Sequence, residues 1–321
     1  MRELLLELLD SPNIKAKIDT AIRPLFEIPT RRRILLLTML LGKFHLSVDA
    51  SFIRTVTGVD PYHEFRPVKE VSDELFETDA EEFRIRSAVF ADFAVQHFLT
   101  AGEITDCIVD SVVCAVARKV HRVYRVLLSN LMQYSNLVEL FRQEVDANNL
   151  IIRLYERLRY DERVSDEPLF WLQYAIAVTE AKQLLLAEQF IQTSYDRAAA
   201  RTGFRTYQID TQAFRILLLI EVDAQSGAPV ARIQEILERL ELLDSMLNEE
   251  SHRSFAIKVL EGIGPFIQKR RGDLSTAERT ALVFWLSKIT KTLASLPAEY
   301  RARAGSDLTG EHLEVAKRLL L

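Results

Sequence analysis

The residues best suited to bind another molecule are three arginines at helical spacing. Arg118, Arg122 and Arg125 follow one another at i, i+4 and i+7, with Lys119 and His121 beside them. Residues at this spacing share one face of a helix, so the row presents several positive charges together. Such a row is typical of a solvated helix face, and it would also suit docking to an acidic partner or a nucleic-acid backbone. We treat the three arginines as a candidate partner-binding site.

Motifs that carry catalysis or hold cofactors are missing from the sequence. It has no G-x-x-x-x-G-K-[ST] loop for phosphates, no H-E-x-x-H and no C-x-x-C. Gly262-Ile263-Gly264 is half of a dinucleotide-binding motif and follows a predicted helix instead of a strand, so it predicts a helix break. The six histidines are scattered singly. We therefore expect no catalytic, cofactor-binding or metal-binding residues, and a protein that is not an enzyme.

The two cysteines, Cys107 and Cys114, predict reduced thiols. Their spacing of seven residues places them two helical turns apart, about 10 Å along the axis, which is too far for a disulfide. The N-terminal sequence MRELLLELLD interrupts its apolar run with acids and so does not resemble a signal peptide. Together with the absence of any apolar run long enough to span a bilayer, this predicts a cytoplasmic protein without a membrane segment.

Composition favours long helices joined by short connections. Of the 321 residues, 48% are hydrophobic and 27% charged, whereas only 10 are glycine and 9 are proline. The formal charge of −5 gives no electrostatic reason to expect nucleic acid or an anionic membrane as the partner. Length and composition together predict roughly two domains with a substantial core.

The segment from Pro168 to Ile191 is apolar on almost every side of a helix drawn through it. A helix of this kind is packed by other helices around most of its circumference. Phe170, Trp171 and Tyr174 are its largest side chains, and we interpret them as a structural hub of the chain.

The chain is mainly all-α, and the sequence predicts three segments. Residues 1–29 form an N-terminal helical segment. Residues 30–100 carry three predicted helices, a small hairpin around Thr78–Asp79–Ala80 and a fourth helix that Ser87 caps, which is the order of a winged-helix domain. We expect this hairpin to be the only β structure. Residues 101–321 read as consecutive antiparallel helices, a degenerate tetratricopeptide-like array.

Several local signals fix the ends of these helices. Asp49 or Ser47 caps a helix that ends at Gly58, and Pro67 opens the third predicted helix. Ser275 and Glu278 form a capping box. Four regularly spaced sets of apolar residues predict inner helix faces: Ile104, Ile108, Val112 and Ala115; Val120, Val123, Leu127 and Leu131; Ile233, Leu237 and Leu240; Leu282, Leu286, Ile289 and Leu293.

The predicted winged helix has the wrong charge for reading DNA. Its third helix offers Lys69 against Glu70, Asp73 and Glu74, and its hairpin turn is also acidic. A helix that approaches phosphates is instead rich in lysine and arginine. This charge pattern favours packing against protein over binding to a duplex.

Two stretches of the sequence resemble a known family. FRIRSAVFADFAVQHFL, residues 83–99, resembles the end of the winged-helix domain that follows the ATPase core in STAND proteins (signal-transduction ATPases with numerous domains). The residues 170–174, Phe-Trp-Leu-Gln-Tyr, and YQIDTQAFRILL at 207–218 are similar to the helical region after that domain in bacterial members. The resemblance spans residues 30–250, roughly, and it does not include the P-loop that those ATPases carry.

The resemblance implies the C-terminal sensor part of a STAND-type NTPase in bacterial defence or signalling. It implies a winged helix that packs on an ATPase module and a helical array that recognises a ligand, without ATP hydrolysis by this chain. The expected partner is a protein, such as a P-loop NTPase or an effector subunit. The alternative is a nucleic-acid-associated regulator that uses the winged helix or the basic helix face.

Overall fold

The computed structural model describes residues 23, 25–69, 75–79, 82–297 and 306–321, and it is mainly helical with one small three-stranded antiparallel sheet. Its contacts divide the chain into two compact units, one ending at Asp166 and the other running from Glu167 to Leu321. The division into residues 1–29, 30–100 and 101–321 stays a prediction. The predicted N-terminal helices lie, up to residue 22, outside the described residues. No described helix is both long and apolar enough to cross a bilayer.

The first unit combines short helices with the sheet. Its described elements, in chain order, are α1 (Pro29–Lys43), β1 (Val48–Asp49), α2 (Ala50–Thr57), α3 (Pro61–Phe65), β2 (Phe76–Asp79), β3 (Glu82–Ile85), α4 (Ala88–Phe98), α5 (Ala101–Val116), α6 (Arg122–Met132), α7 (Tyr134–Leu140), α8 (Ala147–Leu158) and α9 (Glu162–Ser165).

Capping residues begin and end several of these helices as the sequence predicts. The Asp49 carboxylate accepts a hydrogen bond from the amide of Phe52 at 2.8 Å, and Gly58 ends α2 in the left-handed conformation at φ 74°. Ser87 caps α4 through the amide of Phe90. Pro67 lies in a 3₁₀ turn (Arg66–Val68), Lys69 after it is helical, and the remainder of the predicted third helix up to residue 74 is outside the described part.

The sheet contains one strand that the sequence did not predict. β2 and β3 form the expected hairpin, with Phe76 paired to Ile85, and β1 adds to the other side of β3 with Val48 paired to Phe83. The expectation that the hairpin was the only β structure is therefore wrong. β1 has two residues, too few to show the alternation by which strands are recognised.

Helix α1 is the core of the first unit and packs against α4. Its end is unusually tight, because a Cβ on Gly42 would overlap the side chain of Ile85 and come within 3.3 Å of Ala91 Cβ. Beside it, Lys43 and Asp92 form a buried ion pair. Gln96 also donates to Asp92, so the buried carboxylate is both paired and hydrogen-bonded.

Helices α5 and α6 differ in how well their buried faces were predicted. The whole stripe from Ile104 to Ala115 on α5 is buried, as expected. On α6 the predicted stripe is wrong at its start, because Val120 is 83% exposed and Val123 39% exposed. The buried face is turned by one residue and consists of Tyr124, Leu127, Leu128, Leu131 and Met132.

The second unit consists of helices throughout its described residues. They are α10 (Pro168–Glu180), α11 (Leu184–Ala199), α12 (Tyr207–Asp223), α13 (Ile233–Asn248), α14 (Arg253–Leu260), α15 (Ile263–Arg270), α16 (Thr276–Ala294) and α17 (Ser306–Leu320). Helices that follow one another among the described residues pack together at α10–α11, α11–α12 and α16–α17.

The predicted single helix from Pro168 to Ile191 is in fact a helical hairpin. The chain turns at Ala181–Gln183, where Lys182 adopts a positive φ of 61°. The apolar residues before and after the turn therefore face each other across two packed helices. This explains why a single helix drawn through the segment is apolar on nearly every side. In the hairpin, Leu169 is 40% exposed.

Other helix boundaries of this unit follow the sequence closely. The Ser275–Glu278 capping box is formed, and the stripe Leu282, Leu286, Ile289 and Leu293 is buried. The break predicted near Gly264 falls at Glu261–Gly262, so that Pro265 occupies the first turn of α15. On α13 the fully buried face is centred on Ile236, Leu240, Leu243 and Leu247, with Ile233 and Leu237 partly buried beside it.

Candidate functional site

Arg118 does not belong to a basic row on one helix. Helix α5 ends at Val116 and α6 begins at Arg122, so Arg118 lies in the turn between them. Its guanidinium donates hydrogen bonds to Thr55 Oγ1 at 2.8 Å and to Ser51 Oγ at 3.2 Å. It also lies over the ring of Phe52, 5.8 Å from the ring centroid. Arg118 therefore holds α2 against the α5–α6 turn, and the prediction that it shares one helix face with Arg122 and Arg125 is wrong. Its part in binding a partner stays a prediction.

A second hydrogen bond reinforces this contact between α2 and α6. The Tyr124 hydroxyl donates to Asp49 Oδ2 at 2.6 Å, while the guanidinium of Arg118 lies 3.4 Å from the same hydroxyl. Burial raises the pKa of Asp49, but the hydrogen bonds from Tyr124, Ser51 and the amide of Phe52 outweigh it and leave the pKa lowered. Asp49 is therefore the charged centre of a network inside the first unit.

Arg122 and Arg125 are exposed, and they lie among exposed valines. Val120, Val123 and Val126 are 83%, 39% and 40% exposed. Arg125 Nη1 makes only a long hydrogen bond of 3.4 Å, to the carbonyl of Val120. We call these five residues the valine–arginine surface. Two of the three predicted arginines, Arg122 and Arg125, thus lie together on this surface. Their exposed neighbours are valines, because Arg118 contacts α2.

The predicted hub residues belong to the core of the second unit. Phe170 and Tyr174 are fully buried, whereas Trp171 is only partly buried. The ring of Phe190 on α11 packs on Tyr174 at 4.3 Å and on Trp171 at 5.4 Å between centroids. The cluster joins the two helices of the hairpin.

The first unit also contains a cleft that the sequence did not reveal. It lies between α1, the end of α2 and α5, and its volume is about 270 Å³. Leu36, Val56 and Cys107 contribute apolar surface, and charged side chains of α1 and α5 surround them: Arg32, Arg33, Glu103, Asp106 and Asp110. Concave sites with an apolar floor and a few polar groups are the usual form of a small-molecule site.

One pair of these charges is satisfied within the protein. Arg32 donates to both oxygens of Glu103, at 2.6 and 3.0 Å, and to the carbonyl of Phe98 at 3.1 Å. This hydrogen bonding lowers the pKa of Glu103 to about 2. Glu103 also completes the capping box of α5 with Thr100. The Arg32–Glu103 pair therefore fixes α1 to α5 and has little capacity left for a ligand.

Arg33 and Asp110 are not satisfied in this way. Arg33 Nη1 donates only a long 3.4 Å hydrogen bond, to the carbonyl of Thr57. Asp110 receives no hydrogen bond from a described residue, and burial together with the neighbouring charge of Asp106 raises its pKa. The charge of Arg33 acts on Asp110, although no ion pair joins the two side chains.

The two thiols of this region have raised pKa values. Burial raises the pKa of Cys107, so its thiol stays protonated at neutral pH and is a poor nucleophile. Burial raises the pKa of Cys114 too. Among the described residues, no group of three or more His, Cys, Asp and Glu side chains is arranged to hold a metal ion. The arrangement is suited to binding.

Parts of this cleft had a visible sequence signal. The i, i+4 spacing of Asp106 and Asp110 places both carboxylates on one side of α5. The run Arg31-Arg32-Arg33 was visible as a basic cluster, but nothing local indicated which of its members faces α5.

No protein-family model, curated protein or solved structure matches this chain. Its function is therefore inferred from its own geometry and chemistry.

Proposed function

We propose that this chain is a non-enzymatic interaction protein whose first unit docks a protein partner through the valine–arginine surface. The observation that carries the proposal is the exposure of Val120, Val123 and Val126 beside Arg122 and Arg125, which are exposed too and make one long hydrogen bond with the described residues. Scattered exposed apolar residues are common on proteins, whereas three on one turn and the following helix make a small apolar patch. Its chemistry fits a partner with apolar side chains bordered by Asp or Glu.

A nucleic-acid partner fits this surface less well. Binding to phosphates rewards a dense array of Lys and Arg, and each contact releases counterions. Here Arg118 donates its hydrogen bonds to Ser51 and Thr55 of α2, so it adds little to such an array. Valine side chains occupy positions where phosphate contacts would need donors, so we favour protein over nucleic acid.

The proposal extends to the type of system in which this protein acts. We place it with the C-terminal sensor part of STAND-type NTPases in bacterial defence or signalling, with a P-loop NTPase or effector subunit as partner. The order of α1, α2, the β2–β3 hairpin and α4 supports a winged-helix-like domain, and β3 carries Arg84 just before α4. The packed consecutive helices of the second unit support a tetratricopeptide-like array.

Affinity purification of the tagged protein from its native host tests the docking surface. Wild-type protein is compared with an Arg122→Glu/Arg125→Glu variant, because reversing two exposed charges opposes an acidic partner without disturbing the core. We expect a protein to be recovered with the wild type in near-equal amount and to be lost with the variant. Recovery of a P-loop NTPase would also support the proposed relation to STAND systems.

The matched control reverses two exposed arginines elsewhere in the first unit. Arg66 and Arg153 are exposed and make no side-chain hydrogen bond or ion pair with a described residue. The Arg66→Glu/Arg153→Glu variant should retain the partner. Equal loss from both double variants would indicate a general charge effect and oppose the proposal. Recovery that disappears after nuclease treatment would favour the nucleic-acid alternative.

A further inference from the structure

We propose that the cleft between α1, α2 and α5 binds a free amino acid with a short apolar side chain. The structural basis is a pair of opposite charges, Arg33 and Asp110, that face the same cavity and are not joined to each other. A ligand that carries both an ammonium and a carboxylate group can bridge them. The site is separate from the valine–arginine surface, so this inference does not depend on the proposed docking function.

The acidic side of the cleft provides acceptors for an ammonium group. Asp110 accepts no hydrogen bond from the described residues, so both of its oxygens are free to accept N–H donors. Asp106 lies one helical turn away and adds negative charge, although Arg157 pairs with it at 2.7 Å.

Arg33 provides donors for a carboxylate. Arg32 has its donors directed at Glu103 and Phe98, whereas Arg33 is exposed and uses one donor in a long hydrogen bond. A guanidinium with free N–H groups binds a carboxylate through two parallel hydrogen bonds. The difference between these two adjacent arginines therefore assigns the structural role to Arg32 and the ligand role to Arg33.

The size and floor of the cleft limit the ligand's side chain. A volume of about 270 Å³ lies just below the usual range for small-molecule sites and suits a compact molecule. Leu36, Val56 and Cys107 line the cleft between the charged groups, and the Cys107 thiol is uncharged. Short apolar side chains such as those of alanine, valine and leucine match this floor, whereas a charged side chain would lose its hydration there.

Isothermal titration calorimetry of the full chain with L-alanine, L-valine and L-leucine tests the inference. Because both charged groups lie at an exposed rim, we expect weak binding, with a Kd on the order of 0.1–10 mM for at least one of the three. Two analogues of L-valine test its two charged groups one at a time: 3-methylbutanoate lacks the ammonium group, and isobutylamine lacks the carboxylate. Each should bind about tenfold more weakly than L-valine, or more weakly still.

Two variants connect the binding to the named residues. Asp110→Asn removes the acceptor charge and Arg33→Gln removes the guanidinium, and each should weaken binding about tenfold or more. Neither side chain supports the fold through a short hydrogen bond, so both variants should give the far-UV circular dichroism of the wild type. Arg153→Gln, a change of the same type at an exposed site outside the cleft, should bind like the wild type.

The inference is overturned if no amino acid binds the wild-type protein up to about 50 mM, a limit several-fold above the weakest expected Kd. It is equally overturned if both analogues bind as well as L-valine, because the bridging of two charges would then be absent. Since these two arms use only wild-type protein, they remain decisive even if a variant fails to fold. None of these results bears on the docking surface.

Discussion

The guanidinium of Arg118 donates a 2.8 Å hydrogen bond to Thr55 Oγ1, which lies 63 residues earlier in the chain. This contact separates Arg118 from its neighbours Arg122 and Arg125 in both position and role. Arg118 holds α2, whereas the other two arginines remain at the surface. Substitutions at the three positions should therefore have different effects.

Arg118→Met should lower the free energy of unfolding by about 1–2 kcal/mol, because it removes charge-assisted hydrogen bonds in a partly exposed setting. Arg122→Met and Arg125→Met should each change it by no more than about 0.5 kcal/mol, as is usual for exposed positions. Urea unfolding followed by circular dichroism measures the difference. Equal effects at all three positions would mean that Arg118 is not a structural contact.

Gly42→Ala should destabilise the first unit by about 1–3 kcal/mol, since the added Cβ overlaps Ile85 in a closely packed core. Gly102→Ala is the control, because its Cβ would meet only Thr100 Oγ1 at 4.0 Å. In helix α5 this control should be neutral or stabilising by up to about 1 kcal/mol. Thermal and urea unfolding report both values. A neutral Gly42→Ala would show that α1 and β3 are not in close contact.

The Arg32–Glu103 pair should make stability depend on pH. The pKa of Glu103 is about 2 in the folded protein against an ordinary value of 4.5. A carboxyl whose pKa is lowered by folding contributes stability above its unfolded pKa, and this contribution is lost as the pH falls from 4.5 towards about 2.

The comparison of wild type with Glu103→Gln isolates this contribution, because glutamine can still complete the capping box with Thr100. The wild type should be the more stable at neutral pH, and the two should converge between about pH 5 and about pH 2. Urea unfolding across this range measures the difference. A gap that stays constant at all pH values would exclude the ion pair as its source.

The aromatic residues of the α10–α11 hairpin should contribute to the free energy of unfolding according to how deeply each is buried. Phe170→Ala removes a fully buried ring and should cost about 3–5 kcal/mol. Trp171→Ala should cost less, because Trp171 is only partly buried and its loss leaves less of a cavity. Urea unfolding of each variant in the full chain provides the comparison. A loss at Trp171 that exceeds the loss at Phe170 would contradict the assigned packing.

Elements defined by adjacent residues could be predicted from the sequence. Asp49, Ser87 and the Ser275–Glu278 capping box act within three residues along the chain, so their signal is local. The turn at Lys182 had no such signal, because a positive φ at lysine is imposed by the packing of α10 on α11. The surrounding apolar residues instead suggested one continuous helix.

The sites required contacts between distant residues. Nothing near Arg118 in the sequence indicates that α5 ends two residues before it, or that Ser51 and Thr55 accept its hydrogen bonds. The cleft likewise depends on which of two adjacent arginines, Arg32 or Arg33, reaches Glu103. The sequence predicted Arg122 and Arg125 as part of a basic row with Arg118, whereas two of the valines beside them, Val120 and Val123, were assigned to a buried stripe.

Site-specific photocrosslinking in the native host tests the docking surface most directly. A photoreactive residue is placed at Val123, on the valine–arginine surface, or at Val145, which is fully exposed elsewhere in the first unit. We predict one dominant protein adduct from position 123 that is absent from position 145 and is lost in the Arg122→Glu/Arg125→Glu background. No adduct at position 123, or the same adduct from both positions, would contradict a partner bound at this surface.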